Sequence, residues 1–147
     1  YVTCLFSSVK TSRIFLIQLK QVFFDMIKGI SITVIIDEVK NEDSATAIKE
    51  ALLEALPKET HFQSAEKYTK FEDAYKLEFD IEITESIPKE KLIYQLRLIA
   101  DSIASPWSVY FDKEGDNTEL IFNRDNNTKV MQPVFSHIRW AHIQLIY

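Results

Sequence analysis

Two of the three histidines, an arginine and a tryptophan stand within six positions of one another in FSHIRWAHIQLIY, residues 135–147. Imidazoles both bind metals and titrate near neutral pH, so such a cluster suits either a metal site or acid–base work. Spacing decides between them. His137 and His142 are five residues apart, which points them to opposite faces of a regular strand. The apolar phase runs through Ile138 and Trp140 early but through Ile143 and Leu145 later. That switch predicts a bulge near Ala141–His142, which would bring both imidazoles to one side. Two ligands still fall short of the three or four that zinc takes, and His61 would have to arrive from a distant loop. The stretch therefore reads as a terminal strand with Trp140 in the core, and no metal is expected.

Other chemistry finds little footing. With only Gly29 and Gly115, neither a P-loop nor a dinucleotide fingerprint can be written. No G-x-S-x-G elbow exposes a serine, and Cys4 has no base beside it. Asp112, Glu114 and Asp116 alternate as calcium ligands do. Gly115 is fourth rather than sixth, however, and the twelfth position is Asn123, not a glutamate. No cofactor follows from these residues. Asp37, His61, His137 and His142 are the only groups suited to an acid–base role in a small pocket.

The elements that must hold these residues are readable from periodicity. Ile30, Ile32, Val34 and Ile36 alternate with polar residues in a strand. Asp43 or Ser44 caps a helix whose apolar positions are Ala47, Ile48, Ala51, Leu52 and Ala55, and Pro57 stops it. A short edge strand falls near His61–Lys67. In YKLEFDIEI, residues 75–83, Leu77, Phe79, Ile81 and Ile83 face one way, and Lys76, Glu78, Asp80 and Glu82 the other. A second helix carries Leu92, Ile93, Leu96, Ile99, Ala100 and Ile103 inward. A hairpin turning at Asp112–Asn117 and the terminal strand complete the chain. This order predicts an α+β two-layer sandwich: a mostly antiparallel sheet with two helices on one face, ferredoxin-like or related. The domain covers residues 29–147. Residues 1–28 form an extension, read as an amphipathic helix over Ser12–Met26 with a stripe of Phe15, Leu19, Val22, Phe23 and Met26. Its longest strictly apolar run, Ile14–Ile17, is too short for a membrane span, and no secretory cleavage site follows it. Met26 is a candidate start, in which case residues 26–147 would be the functional unit.

Charge narrows the function classes. The chain of 147 residues carries −5 formally, and Lys10, Arg13 and Lys20 against Asp25 make its first 25 residues +2, leaving −7 for the rest. Nucleic-acid binders need a basic surface, so a nucleic-acid partner is not expected, whereas a basic protein partner is. A single cysteine suits a reducing, cytoplasmic compartment. The leading expectation is a non-catalytic protein-binding module, of the kind that bacterial immunity or inhibitor proteins exemplify. Its contact residues would be the acids Glu78, Asp80 and Glu82 with Trp107, Tyr110, Arg139 and Trp140, tryptophan and arginine being enriched where binding energy concentrates. Trp107 is the more exposed of the two tryptophans on this reading, and Arg139 pairs with Glu78, Asp80 or Glu82. Two other readings stand beside it: a ferredoxin-like enzyme or sensor for a small ligand, and an oligomerisation domain forming a homodimer.

Overall fold

A computed structural model describes residues 27–112 and 117–147. The extension helix over Ser12–Met26, Cys4 and the tip of the 112–117 turn lie outside the described residues.

The first strand, β1 (Gly29–Ile36), is built of β-branched residues whose side chains stand well off a pleated backbone. Ile30, Ile32, Val34 and Ile36 point to one side and are almost completely buried. Helix α1 (Glu42–Ala55) follows. Its cap is Asn41, two residues before the expected position: the Asn41 side chain accepts from the Ser44 backbone N–H at 2.9 Å. Its buried stripe is Ala45, Ile48 and Leu52; of the other residues expected inward, Ala51 and Ala55 are half-buried and Ala47 lies in solvent. Helix α2 (Lys89–Ile103) begins after Pro88 and buries Leu92, Leu96, Ile99, Ala100 and Ile103 as its spacing predicts, whereas Ile93, also expected inward, is only half-buried. Each such leucine or isoleucine contributes about 1.5–3 kcal/mol when fully withdrawn from water.

The remaining strands are β2 (Thr60–Lys67), β3 (Tyr75–Glu82), the two-residue β4 (Ala104–Ser105), β5 (Ser108–Phe111), β6 (Thr118–Asn123), the two-residue β7 (Lys129–Val130) and β8 (Ile138–Ile146). β4 and β7 pair with each other, and the six longer strands form one antiparallel sheet in the order β2-β3-β1-β8-β6-β5. The expected β5–β6 hairpin is present, with Tyr110 opposite Glu119 and Asp112 N–H donating to the Asn117 carbonyl at 3.2 Å. Phe79, Phe122, Leu77, Ile138, Ala141 and Ile143 join the β1 side chains and the helices in a single core.

Two details set the outer surface. β1 runs between β3 and β8, and Gly29 is wedged there so closely that a Cβ would come within 2.5 Å of the Ile81 carbonyl oxygen. The register of β8 against β1 jumps from Trp140 opposite Ile35 to Ile138 opposite Ile36. Arg139 is therefore the extra residue of a bulge, which is the phase switch expected two residues further on. It reverses the reading of Trp140: Ile138, Ala141, Ile143 and Leu145 face the core, and Trp140 faces out. Among the described residues no helix is long and apolar enough to cross a membrane.

Candidate functional site

With both helices on one face, no helix among the described residues covers the other face of the sheet, and the strand register orders its side chains into three rungs. The lower rung runs His61, Asp80, Ser31, Gln144, Glu119, Tyr110. The middle rung runs Ser64, Glu78, Thr33, His142, Ile121, Ser108. The upper rung runs Glu66, Lys76, Ile35, Trp140, Asn123. Glu82 stands below the lower rung, opposite Gly29. Glu66, Glu78, Asp80, Glu82 and Glu119 thus share one face with Lys76 as the only lysine of these rungs.

The acids are held by light contacts. Ser64 Oγ donates to Glu78 Oε2 at 2.8 Å, and Gln63 Nε2 donates to Asp80 Oδ1 at 2.8 Å. Lys76 Nζ lies 3.1 Å from Glu78 Oε1 and 3.7 Å from Glu66 Oε2. The Ser64 hydroxyl, then Lys76, holds the Glu78 carboxyl below its ordinary range, and Glu78 in turn raises the Lys76 ammonium. On β8, His142 Nε2 is 3.2 Å from Glu119 Oε2.

Above the upper rung the chemistry inverts. Asp37 follows the last residue of β1, and its side chain is only 6% exposed. Arg124 grips it with both terminal nitrogens, Nη1 to Oδ1 at 2.9 Å and Nη2 to Oδ2 at 3.0 Å. Arg139, swung out by the bulge, adds Nη1 to Oδ2 at 3.0 Å. Burial alone would raise the Asp37 carboxyl, but hydrogen bonds and charge from Arg139 and Arg124 together hold it below its ordinary value. Arg124 Nη1 also donates to the Ser136 carbonyl at 2.8 Å, and the His137 ring Nδ1 lies 3.1 Å from the Asp37 carbonyl oxygen. The loop after β2 then folds over this corner, setting the Phe71 ring 3.9 Å from the centre of the Arg139 guanidinium. Between loop and sheet lies a hollow of about 580 Å³, floored by Thr33 and Ile35 and walled by Tyr68, Phe71, Trp140 and the two arginines.

The residues singled out from sequence divide as follows. Glu78, Asp80, Glu82, Tyr110 and Trp140 all lie on the open face, and Arg139 stands at its upper end. Trp107 does not. Its indole N–H donates to the Ala104 carbonyl at 2.8 Å and its ring lies 5.5 Å from Phe122, so it is half-buried on the helix side. Arg139 does not pair with Glu78, Asp80 or Glu82, because β1 intervenes and the bulge aims it past the strand end toward Asp37. The three histidines do not converge: His61 is on β2 opposite Asp80, His137 is in a 3-10 turn (Pro133–His137) against Asp37, and His142 meets Glu119. Among the described residues no three His, Cys, Asp or Glu side chains are grouped to hold a metal. Arg124 and the 68–74 loop went unread in the sequence. The one available signal was Asp37 itself, a carboxylate set directly after the apolar run Val34–Ile36 that ends β1, which needs cationic partners once buried. The chain matches no protein-family model, no curated protein and no solved structure.

Proposed function

We propose that this chain is a protein-binding module whose open sheet face receives a basic surface of another protein. The observation that carries the reading is the concentration of Glu66, Glu78, Asp80, Glu82 and Glu119 on the face that the helices leave uncovered. An array of carboxylates on one sheet face steers a cationic partner in and rejects acidic ones. Tyr110 and Trp140 stand on the same face and supply the aromatic anchors such contacts favour. The order β8-β1-β3-β2, with helices after β1 and β3, supports a ferredoxin-like core to which the β5–β6 hairpin adds two strands. The narrower form of the reading is an inhibitor of immunity-protein type working in a bacterial cytoplasm, for which the acidic balance is the motive.

The test compares two variants with the same change in net charge. Glu78→Lys with Asp80→Lys alters the open face; Glu54→Lys with Glu90→Lys alters exposed helix positions. A partner captured by the wild-type chain is purified and rebound to both. Loss of at least about tenfold in affinity for the first variant alone, with binding weakened by salt, supports the reading. Equal binding of both variants overturns it.

A second reading has its own observation. β5 is an edge strand on which Val109, Tyr110 and Phe111 are 50%, 55% and 59% exposed, the kind of edge on which a second copy adds a strand. Light scattering checks it: a mass of one chain at all concentrations removes self-association.

A further inference from the structure

We infer that the hollow between the 68–74 loop and the upper rung is a binding site for a small aromatic carboxylate. It shares Thr33, Ile35, Lys76, Asn123 and Trp140 with the rungs but lies away from Asp80, Glu82 and Glu119, and its occupation does not depend on any protein partner.

Charge comes first. In a chain of −5, the described residues line this hollow with Lys76, Arg124 and Arg139 and with no carboxylate. Asp37 lies behind the arginines with both oxygens occupied by them. Lys76 is held by Glu78 and Glu66. Two guanidinium groups against the single Asp37 carboxylate leave one positive charge facing the hollow, which suits a monoanion.

Donor geometry selects the anion. A guanidinium carries five N–H groups in one plane. Arg139 uses one of them, on Asp37, and its Nη2 and Nε make no hydrogen bond among the described residues. Arg124 likewise keeps its Nε. Asp37 holds Arg124 by both terminal nitrogens and Arg139 by one, which leaves the Nε side of each guanidinium for a planar, two-oxygen acceptor. The Phe71 ring lies against Arg139 and restrains it further.

Walls and size select the body of the ligand. Tyr68, Phe71 and Trp140 give aromatic faces, and Ile35 an apolar floor, within about 580 Å³. Small-ligand sites commonly enclose about 300–1,000 Å³ and combine apolar walls with a few fixed polar groups. A flat ring bearing a carboxylate meets both requirements. A bare anion would leave the aromatic walls wet, and a neutral ring would leave the guanidinium edges unused.

The experiment is an NMR titration of the full chain with 2-naphthoate, following the amides of Ile35, Phe71 and Trp140 and the Trp140 indole. Saturable shifts confined to this corner are expected, with a dissociation constant of about 1 mM or tighter. Acetate and 2-naphthalenemethanol separate the charge from the ring, and each is expected to bind at least about tenfold more weakly. Arg139→Gln should weaken 2-naphthoate by a similar factor, while Arg139→Lys, which keeps charge but not the fork, should not restore it. Trp140→Leu removes a wall without touching the ion pairs and gives the same loss should Arg139→Gln fail to fold. The inference is overturned by shifts that do not saturate at about 10 mM, by equal binding of the neutral alcohol, by shifts centred elsewhere, or by wild-type affinity in a folded Arg139→Gln.

Discussion

The two faces of β8 carry opposite chemistry from one run of sequence. Its inward residues, Ile138, Ala141, Ile143 and Leu145, are withdrawn from water against the helices, while Trp140, His142 and Gln144 remain half-exposed beside charged neighbours. Inward, the free energy lies in area removed from solvent and in close packing, so a change of volume is felt at once. Outward, it lies in pairs of charges and hydrogen bonds that water competes with, so a change of charge is nearly free for the fold and decisive for whatever lands there. The lesson is a separation of duties: stability sits under the helices, and the proposed recognition sits on the other side. The Asp37 corner is the exception, since one buried carboxylate both closes the strand ends and orients the two arginines of the hollow.

The separation predicts a graded series of effects. Phe122→Ala on the covered face removes a fully buried ring and should cost about 3–5 kcal/mol in denaturant unfolding. Asp37→Asn keeps the shape but leaves two guanidinium groups without their carboxylate, and should cost about 2 kcal/mol or more at neutral pH. The same variant tests the pH dependence. The folded Asp37 carboxyl titrates below its ordinary value of 3.8, so its stabilisation is present above that value and is lost as pH falls through the lower folded one. Unfolding between pH 5 and pH 2, about the range in which a carboxylate of this kind titrates, should therefore be steeper for the wild type than for Asp37→Asn; parallel curves would remove Asp37 from that role. Gly29→Ala drives a methyl group into the Ile81 carbonyl and should cost about 1–3 kcal/mol, read as a lowered unfolding midpoint. Smallest of all, Glu78→Lys with Asp80→Lys should change stability by about 1 kcal/mol or less. A large loss from that pair would show that the open face is structural and would break the comparison.

Much of the fold is legible because it rests on local pattern. The alternation in residues 30–36 and 75–82 marks strands with one buried face, and the 92–103 stripe marks a helix, because the side-chain periods of strand and helix differ. The acids of the open face are equally legible, since alternation alone places Glu78, Asp80 and Glu82 opposite Leu77, Phe79 and Ile81. The tryptophans are not. Trp140 continues the apolar phase of Ile138 and is turned outward only by the bulge at Arg139, a feature of strand pairing with β1 that no single-strand pattern contains. Trp107 is tied to Ala104 and Phe122 by the path of the chain after α2.

Composition and period, then, were sufficient for the strands, most of the α2 stripe and the acids of β3, because those depend on neighbours in the chain. The meeting of Asp37 with Arg124 and Arg139 brings together residues 87 and 102 positions apart. Their contact follows from strand order, one bulge and the need of a buried carboxylate for countercharge. These are properties of the assembled sheet, and only the three-dimensional structure could supply them.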